Sequence, residues 1–436
     1  MARVYLSFLG TNDYLPCTYV FPDGTDKPQG VRFVQEATVS YTCKDWGPED
    51  QVVIFTTETA ANRNWWDNGH KDRDGKTLER KGLKRCLSEL EIGARVTQVP
   101  IPEGRSKEEL WKIFDIFLDL IPEGAYVVFD VTHALRSIPM LAITALYYAK
   151  VIKGATLGGV YYGAFEVLGT LEESKRIPLD KRRVPVFDLG MFAQLLDWSL
   201  ALDRFLSSGD AAHACHLARN WPASPSQTQE PLRRLADSLE RFSGVMSTCR
   251  GRQITEASCQ LRQNLQDLAT SHMPPPFRPL LERLQNRLSR FGPDSIANGV
   301  EAARWCLEHN LIQQGVTILN EVLVEHLCRI SGGNPDCLDH RTLVSKAVHI
   351  HRNDTPEDQW KGVAAGNKPL TKRYLKQLNT KPNFAEVFLS LGEARNDMNH
   401  AGFRESARMP EDFSNALKES ISKVEALIGR KDPPQT

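Results

Sequence analysis

The stretch AYVVFDVTHALRSIPMLAITALYYAKVI, residues 125–152, decides how the first half of the chain is read. It opens on a short apolar run, AYVVFDV (125–131), and closes on a longer one, MLAITALYYAKVI (140–152). Between them stands a polar knot of Asp130, Thr132, His133, Arg136 and Ser137. A short apolar run without alternation is the pattern of a strand buried on both faces, and the longer run has the length of a helix. Pro139 suits the first turn of that helix, where its missing N–H removes no bond. The stretch therefore reads as strand, polar turn and helix.

The same grammar extends on both sides. RVYLSFLG (3–10), QVVIFTT (51–57), ARVTQVPI (94–101), GGVYYGAF (158–165) and RVPVFDL (183–189) are further strands. SKEELWKIFDIFLDLI (106–121) is a helix, with Leu110, Ile113, Phe114, Phe117, Leu118 and Ile121 at helical spacing. Ser106 followed by Glu109 predicts a capping box at its start. Alternating strands and helices imply a parallel, doubly wound, Rossmann-like sheet over residues 1–190. From Met191 the patterns turn helical: MFAQLLDWSLALDRFLSSGD, PLRRLADSLERFSGV, PLLERLQNRLSRFG, ANGVEAARWCLEHN and LIQQGVTILNEVLVEHLCRI. The three prolines of SHMPPPFRP (271–279) interrupt them, because each removes a donor and clashes with the preceding turn. The expected class is α/β plus all-α, with a sheet domain at 1–190, a helical connecting region at 191–298 and a second helical domain at 299–430.

Bulk properties narrow the function. Lysine plus arginine and aspartate plus glutamate both number 54 in 436 residues, so the formal net charge is zero. That argues against a protein held on long nucleic acid by a broad basic surface, but leaves room for a local basic cleft. Nine scattered cysteines without a C-x-x-C pair, no bilayer-length apolar run and no signal-peptide pattern point to a reducing cytoplasm and no membrane partner. His326, Cys328, Cys337 and His340 are zinc-type ligands, yet their spacing is not that of paired ligands, and no metal is expected.

In doubly wound sheets ligands bind beyond the carboxyl ends of the strands. Three such ends carry polar residues: Gly10, Thr11 and Asn12; Thr56 and Thr57; and Asp130, Thr132, His133, Arg136 and Ser137. The start of a helix offers free N–H groups and a favourable dipole to an anion, and arginine adds a bidentate contact. These residues suit a phosphate-bearing ligand. No G-x-G-x-x-G follows the first strand and no G-x-x-x-x-G-K-[ST] occurs, which excludes the common dinucleotide and NTP cradles. The plain alternative is that Asp130, Thr132 and Ser137 cap the helix.

DVTHALRSIP (130–139) resembles the D-x-T-H-G-x-R-S-x-P signature of CRISPR-associated proteins with a CARF domain, a sensor of cyclic oligoadenylates; Ala134 stands where the family has glycine. LGTNDYLPCTYVF (9–21) is similar to that family's first motif, a strand followed by G-T and a tyrosine. Near the other end, EVFLSLGEARNDMNHAGF (386–403) carries Arg395, Asn396 and His400 and resembles the R-N-x-x-x-H-A-G motif of HEPN ribonucleases, helical domains whose paired copies make one active site. A second R-x-x-x-x-H, Arg304 to His309, lies in an ordinary amphipathic helix and reads as structural.

The resemblance implies a homodimer or higher homo-oligomer of a type III CRISPR system. It would be activated by a cyclic oligoadenylate, with cyclic tetra-adenylate favoured, and would cut single-stranded RNA without a metal or other cofactor. The products implied are a 2′,3′-cyclic phosphate and a 5′-OH. The residue types suit that chemistry. Histidine serves as general acid or base, arginine stabilises a phosphorane-like transition state, and Asn396 orients the 2′-OH or the histidine. Positions five apart on a helix differ by about 140°. Arg395 and His400 therefore meet only if the arginine bends back, the helix ends near Gly402, or a two-fold dimer joins two pairs. Two further readings stay open: a nucleotide-gated RNA-binding regulator without nuclease activity, and a sensor domain that cleaves its own cyclic activator.

Overall fold

The computed structural model describes residues 1–25, 30–72, 74–133, 138–221, 229–270, 274–403, 405 and 407–429, the side chains of 138 and 139 excepted. The chain forms two compact units, Met1–Gln194 and Leu195–Thr436.

The first unit threads β1 (Arg3–Phe8), β2 (Thr18–Val20), α1 (Val34–Thr42), β3 (Gln51–Thr56), α2 (Glu58–Ala60) with a π-helical turn Ala61–Trp65, α3 (Leu83–Ser88), β4 (Arg95–Pro100), α4 (Lys107–Asp119), β5 (Tyr126–Asp130), α5 (Ile138–Lys153), β6 (Thr156–Gly163), α6 (Leu171–Arg176) and β7 (Arg183–Asp188). The sheet order is β2-β7-β6-β5-β1-β3-β4. The pairs made by β1 with β3 and β5, β3 with β4, β5 with β6, and β2 with β7 are all parallel.

Two features depart from the sequence expectation. β7 runs antiparallel to β6, with Tyr162 opposite Phe187, so the sheet is mixed at that edge. β2 is a three-residue strand outside the expected set, too short for any periodicity to show. The connection into β7 carries short helical pieces, α6 among them, rather than a long crossover helix, and an antiparallel neighbour needs no such crossover.

Side-chain alternation explains why the strands read as continuous apolar runs. Val4, Leu6 and Phe8 of β1, Val53 and Phe55 of β3, and Val127 and Phe129 of β5 pack on one face, against Ile113 and Phe117 of α4 and Ala142, Ala145 and Leu146 of α5. Tyr5 and Leu9, Val52 and Ile54, and Val128 pack on the other, with Phe33, Val39 and Leu83. Ser106 caps α4 by accepting the Glu109 N–H at 3.2 Å. The reciprocal bond of a capping box is displaced, because the Glu109 carboxylate accepts from Arg105 N–H at 2.7 Å instead.

The second unit is helical. α7 (Gly190–Ser208) leads into α8 (Ala212–Arg219), α9 (Glu230–Ser247), α10 (Ile254–Ala269), α11 (Arg278–Leu288), α12 (Ser295–Glu308), α13 (Ile312–Ile330), α14 (Leu338–Arg352), α15 (Val363–Gly366), α16 (Lys368–Thr380), α17 (Phe384–Asn399) and α18 (Pro410–Ile428). It holds two apolar cores. One gathers α7 to α11, with Ala302, Trp305 and Cys306 of α12. The other gathers α13, α14 and α16 to α18, with Val300 and Ala303 of α12. Successive positions of α12 thus face different cores, and α12 is the wall they share. α12 lies so close to α13 that a Cβ at Gly299 would stand 2.3 Å from a Val322 methyl. No helix among the described residues is long and apolar enough to cross a membrane.

Candidate functional site

At the carboxyl ends of β1 and β5 the structure builds a polar layer beneath a surface loop. Asp130 is fully buried. Its Oδ1 accepts from Thr132 N–H at 3.0 Å and from the Thr132 hydroxyl at 2.5 Å; its Oδ2 accepts from the Tyr5 and Ser7 hydroxyls, both at 3.1 Å. The Thr132 hydroxyl in turn accepts from Gly163 N–H at 2.9 Å, tying the end of β5 to the end of β6. Gln35 of α1, also fully buried, donates to Ser7 Oγ at 3.1 Å and to Phe8 carbonyl at 3.0 Å. Burial holds the Asp130 carboxyl above its usual range, against the pull of these donors. Asp130 and Thr132 therefore shape the site from below. A ligand would meet what they hold in place.

Above this layer, His133 is half-buried, with its ring 4.3 Å from that of Tyr14 and tilted by 32°. His133 Nε2 and Tyr14 Oη are both out of solvent, and neither has a hydrogen-bond partner among the described residues. Burial alone drives the His133 pKa down to about 4, and it raises that of Tyr14 well above the ordinary phenol value. The imidazole is neutral at neutral pH, so His133 is no cationic anchor for phosphate. It can donate or accept one bond. Gly10 makes this arrangement possible: a Cβ there would stand 2.2 Å from Tyr14 Oη and 3.4 Å from His133 Cβ. The Gly10 and Asn12 backbones pull against burial at Tyr14 without closing a well-formed bond, and His133 Nε2 has no such neighbour, so the pair form a feature that bound polar groups would satisfy.

The Gly10–Tyr14 loop is braced from outside. Asn64, buried in the π-helical turn, donates to the carbonyls of Gly10 and Asn12 at 2.9 Å each. Arg63 donates to Thr11 carbonyl at 3.3 Å. Asp13 is paired with Arg32 and Arg80. Thr56 and Thr57 are buried and already engaged: Thr56 Oγ1 accepts from Gln98 at 2.8 Å, and Thr57 caps α2 through Ala60 N–H. Of the residues singled out in the sequence, Gly10 and His133 meet at one place, and Thr132 joins them from the layer below. Thr11 and Asn12 contribute carbonyls to the bracing. Arg136 and Ser137, with Ala134, lie outside the described residues. Tyr5, Ser7, Gln35 and Asn64 were not among the residues the sequence singled out, whereas Tyr14 stands in the motif LGTNDYLPCTYVF (9–21).

The other constellation lies on α17. That helix stops at Asn399, and His400 is its C-cap, with φ −90° and ψ 7°. Ala401 and Gly402 follow at φ +52° and +78°, a left-handed turn that the glycine favours. The helix thus ends before Phe403, and His400 and Asn396 are both exposed. Arg395 is partly exposed and stands 4.0 Å from Glu321 of α13, whose carboxylate is also paired with Arg341 of α14. Asp397 is buried behind them and accepts from Arg408 N–H at 3.0 Å, pinning the returning chain.

The second R-x-x-x-x-H is held differently. Arg304 donates to Glu425 at 2.7 Å and lies 3.5 Å from the buried Glu301. His309 is buried, stacked on Trp305 at 4.1 Å, with its ring nitrogens against the carbonyls of Trp305 and Leu206. Both side chains serve the helix packing.

Two of the zinc-type residues have separate partners. Cys328 lies on α13 and receives the Tyr374 hydroxyl at 3.3 Å, while His340 Nδ1 accepts from Asn334 N–H at 2.9 Å. His326 is buried, its Nε2 has no partner among the described residues, and burial pulls its pKa down to about 4. His133 and His326 fix a pH dependence. Each stays neutral in the folded chain and protonates near pH 6.5 once unfolded, so the unfolded state binds more protons between about pH 4 and 6.5. Stability is greatest above that window and falls as pH drops through it, by roughly 3 kcal/mol at most for each group. Urea unfolding at about pH 7.5 and about pH 5 should show the loss, and His326→Leu should reduce it. An equal loss in the variant counts against this account of His326.

Comparison with known proteins adds kinship. Residues 194–296 match the family described as CRISPR-associated protein MJ1674, second domain. That segment covers α8 to α11 and most of α7, the part of the chain in which the sequence showed no motif. Over 303 residues the chain is 22% identical to the CRISPR-associated protein MJ1674 of Methanocaldococcus jannaschii, an alignment taking in 68% of this chain and 44% of that protein. The chain therefore spans less than half the length of that relative. On both matches, the chain is similar to a CRISPR-associated protein.

Proposed function

We propose that the chain is a ribonuclease effector of CRISPR defence. Its sheet unit would act as a CARF-type sensor of a cyclic oligoadenylate and its helical unit as a HEPN-type nuclease for single-stranded RNA. The observation that carries the reading is the end of α17. There an arginine and a histidine stand accessible, one in the last turns of the helix and one at its cap, with a buried aspartate securing the chain that follows. The similarity to a CRISPR-associated protein supports the setting.

His400 would act as general acid or base on the 2′-OH or the leaving 5′-oxygen, Arg395 would stabilise charge on the phosphorane, and Asn396 would orient the attacking hydroxyl. Along a straight helix Arg395 and His400 are separated by about 7.5 Å of rise and about 140° of turn. A two-fold dimer joining two such ends is the arrangement that suits one cleft. In the sheet unit, Tyr14 and His133 would meet polar groups of the cyclic ligand, with Gly10 making room. Thr132 and Asp130 would fix their positions, and Arg136 and Ser137 would add phosphate contacts. A ligand gates the nuclease only if it binds the competent arrangement more tightly than the idle one.

The test is a cleavage assay on labelled single-stranded RNA in EDTA, with cyclic oligoadenylates of different ring size. Cleavage that appears with one ring size supports the reading. RNA binding without cleavage under every activator would instead favour the regulator, and linear products of the activator itself would reveal a self-limiting sensor.

A further inference from the structure

A second surface of the helical unit has the chemistry of a nucleic-acid contact and lies apart from the α17 end. Between the C-terminal half of α14 and the loop that precedes α15 lies a cavity of about 290 Å³. Lys346 and His349 of α14 and Lys361 of the loop line it, together with Trp360, Asn353 and Gln359. No carboxylate is among its lining residues. Glu357, in the same loop, is drawn away onto Lys368 and Lys372, at 3.5 and 2.7 Å. Trp360 is fixed as a wall. Its Nε1–H donates to Thr355 carbonyl at 3.1 Å, part of it packs on the second core, and the rest faces the cavity.

Two lysines, a histidine, two side-chain amides and an indole around one recess combine the two elements by which proteins hold single strands: cationic groups for phosphate and an aromatic face for a base. The bland reading of Lys346 and His349 is that they complement the dipole at the end of α14. That does not account for Lys361, which comes from the loop, or for Trp360 facing the same recess.

We infer that this recess is an auxiliary RNA site, holding one phosphodiester between Lys346 and Lys361 with a base against Trp360. It rests on the proposed action on RNA and places a part of the strand remote from the cut. α14 supplies the link. Its first turn carries Arg341, paired with the same Glu321 that Arg395 approaches. From Arg341 to His349 the helix rises about 12 Å. Arg341 and Lys346, five positions apart, differ by about 140° around α14, so a strand that reaches from the recess to the Arg395 end has to wrap around the helix as well as follow it.

The test uses fluorescence anisotropy of a labelled single-stranded RNA on the full chain carrying His400→Ala, so that no cleavage intervenes. The double change Lys346→Ala with Lys361→Ala, both at exposed positions, is expected to weaken binding about tenfold or more. It should also flatten the plot of log affinity against log salt by about 0.7 for each phosphate that is no longer neutralised. Trp360→Ala should weaken binding with the salt slope unchanged, and Trp360→Phe should restore most of it, which separates loss of stacking from loss of fold. Unchanged affinity and slope in the lysine variant, or no RNA binding by the parent, would overturn the inference. The two readings fail separately. A protein that cuts RNA but ignores these changes refutes the recess alone, whereas one that binds RNA through the recess and never cuts refutes the nuclease.

Discussion

His400→Ala should lower RNA cleavage by about two to four powers of ten, the range attributable to a positioned general acid or base, while leaving the fold intact. The side chain is exposed, at a helix cap, with φ and ψ that any residue adopts, so truncation removes no packing. Circular dichroism and the thermal midpoint should therefore match the parent, and binding of the cyclic activator should be unchanged. Arg395→Lys should also fail to restore the parent rate. A lysine keeps the charge but loses the planar fork that matches two phosphoryl oxygens. The approach of Arg395 to Glu321, at 4.0 Å between partly exposed groups, is too weak for that failure to be a stability effect. Wild-type cleavage by His400→Ala would remove the assignment of α17 as the catalytic element.

The largest effect on stability is expected at Asp130. Asp130→Ala would leave the Tyr5, Ser7 and Thr132 hydroxyls and the Thr132 N–H without their shared acceptor inside a dry layer. Orphaned buried donors cost about 1–3 kcal/mol apiece, and a loss of roughly 3–5 kcal/mol is expected after partial relaxation. Asp130→Asn should be milder, because it keeps one acceptor oxygen for Thr132 while the hydroxyls rotate to accept from its amide. The pH dependence separates the two roles of the carboxyl. Its folded pKa is raised by burial, so the folded state binds more protons in the window just above the usual carboxylate value. Its contribution is therefore most favourable below that window and declines as pH rises through the raised value, opposite in sign to His133 and His326. Urea midpoints across the acid range, compared between parent and Asp130→Asn, should lose this decline. Asp130→Ala should also weaken activator binding even though Asp130 is buried, because Thr132 and the end of β5 lose their fixed position.

The central strands β1, β3 and β5 were legible because burial on both faces demands apolar side chains at nearly every position, whereas β4 has no fully buried residue and β7 only two. β1, β3, β4, β5, β6 and β7 each answer to a run quoted from the sequence, within a few residues. Arg395, Asn396 and His400 were legible as a spacing, and the left-handed turn at Ala401 and Gly402 is where a glycine was needed. The direction of β7 was not legible, since one strand reads the same in either orientation, and β2 was too short to have a pattern.

The site beyond the strands divides the same way. The sequence by itself determined that polar residues stand at the carboxyl ends of β1 and β5 and that a helix follows. Only the tertiary structure decided which of them face outward. It buried Asp130, Thr56 and Thr57 as braces, left His133 neutral beside Tyr14, and drew Gln35 and Asn64 in from distant segments. It also gave α12 to two cores at once and folded a loop tryptophan over α14. Each of these depends on which backbone groups still lack partners once the sheet and helices have formed, and that is settled by contacts between residues far apart in the chain, which local periodicity does not encode.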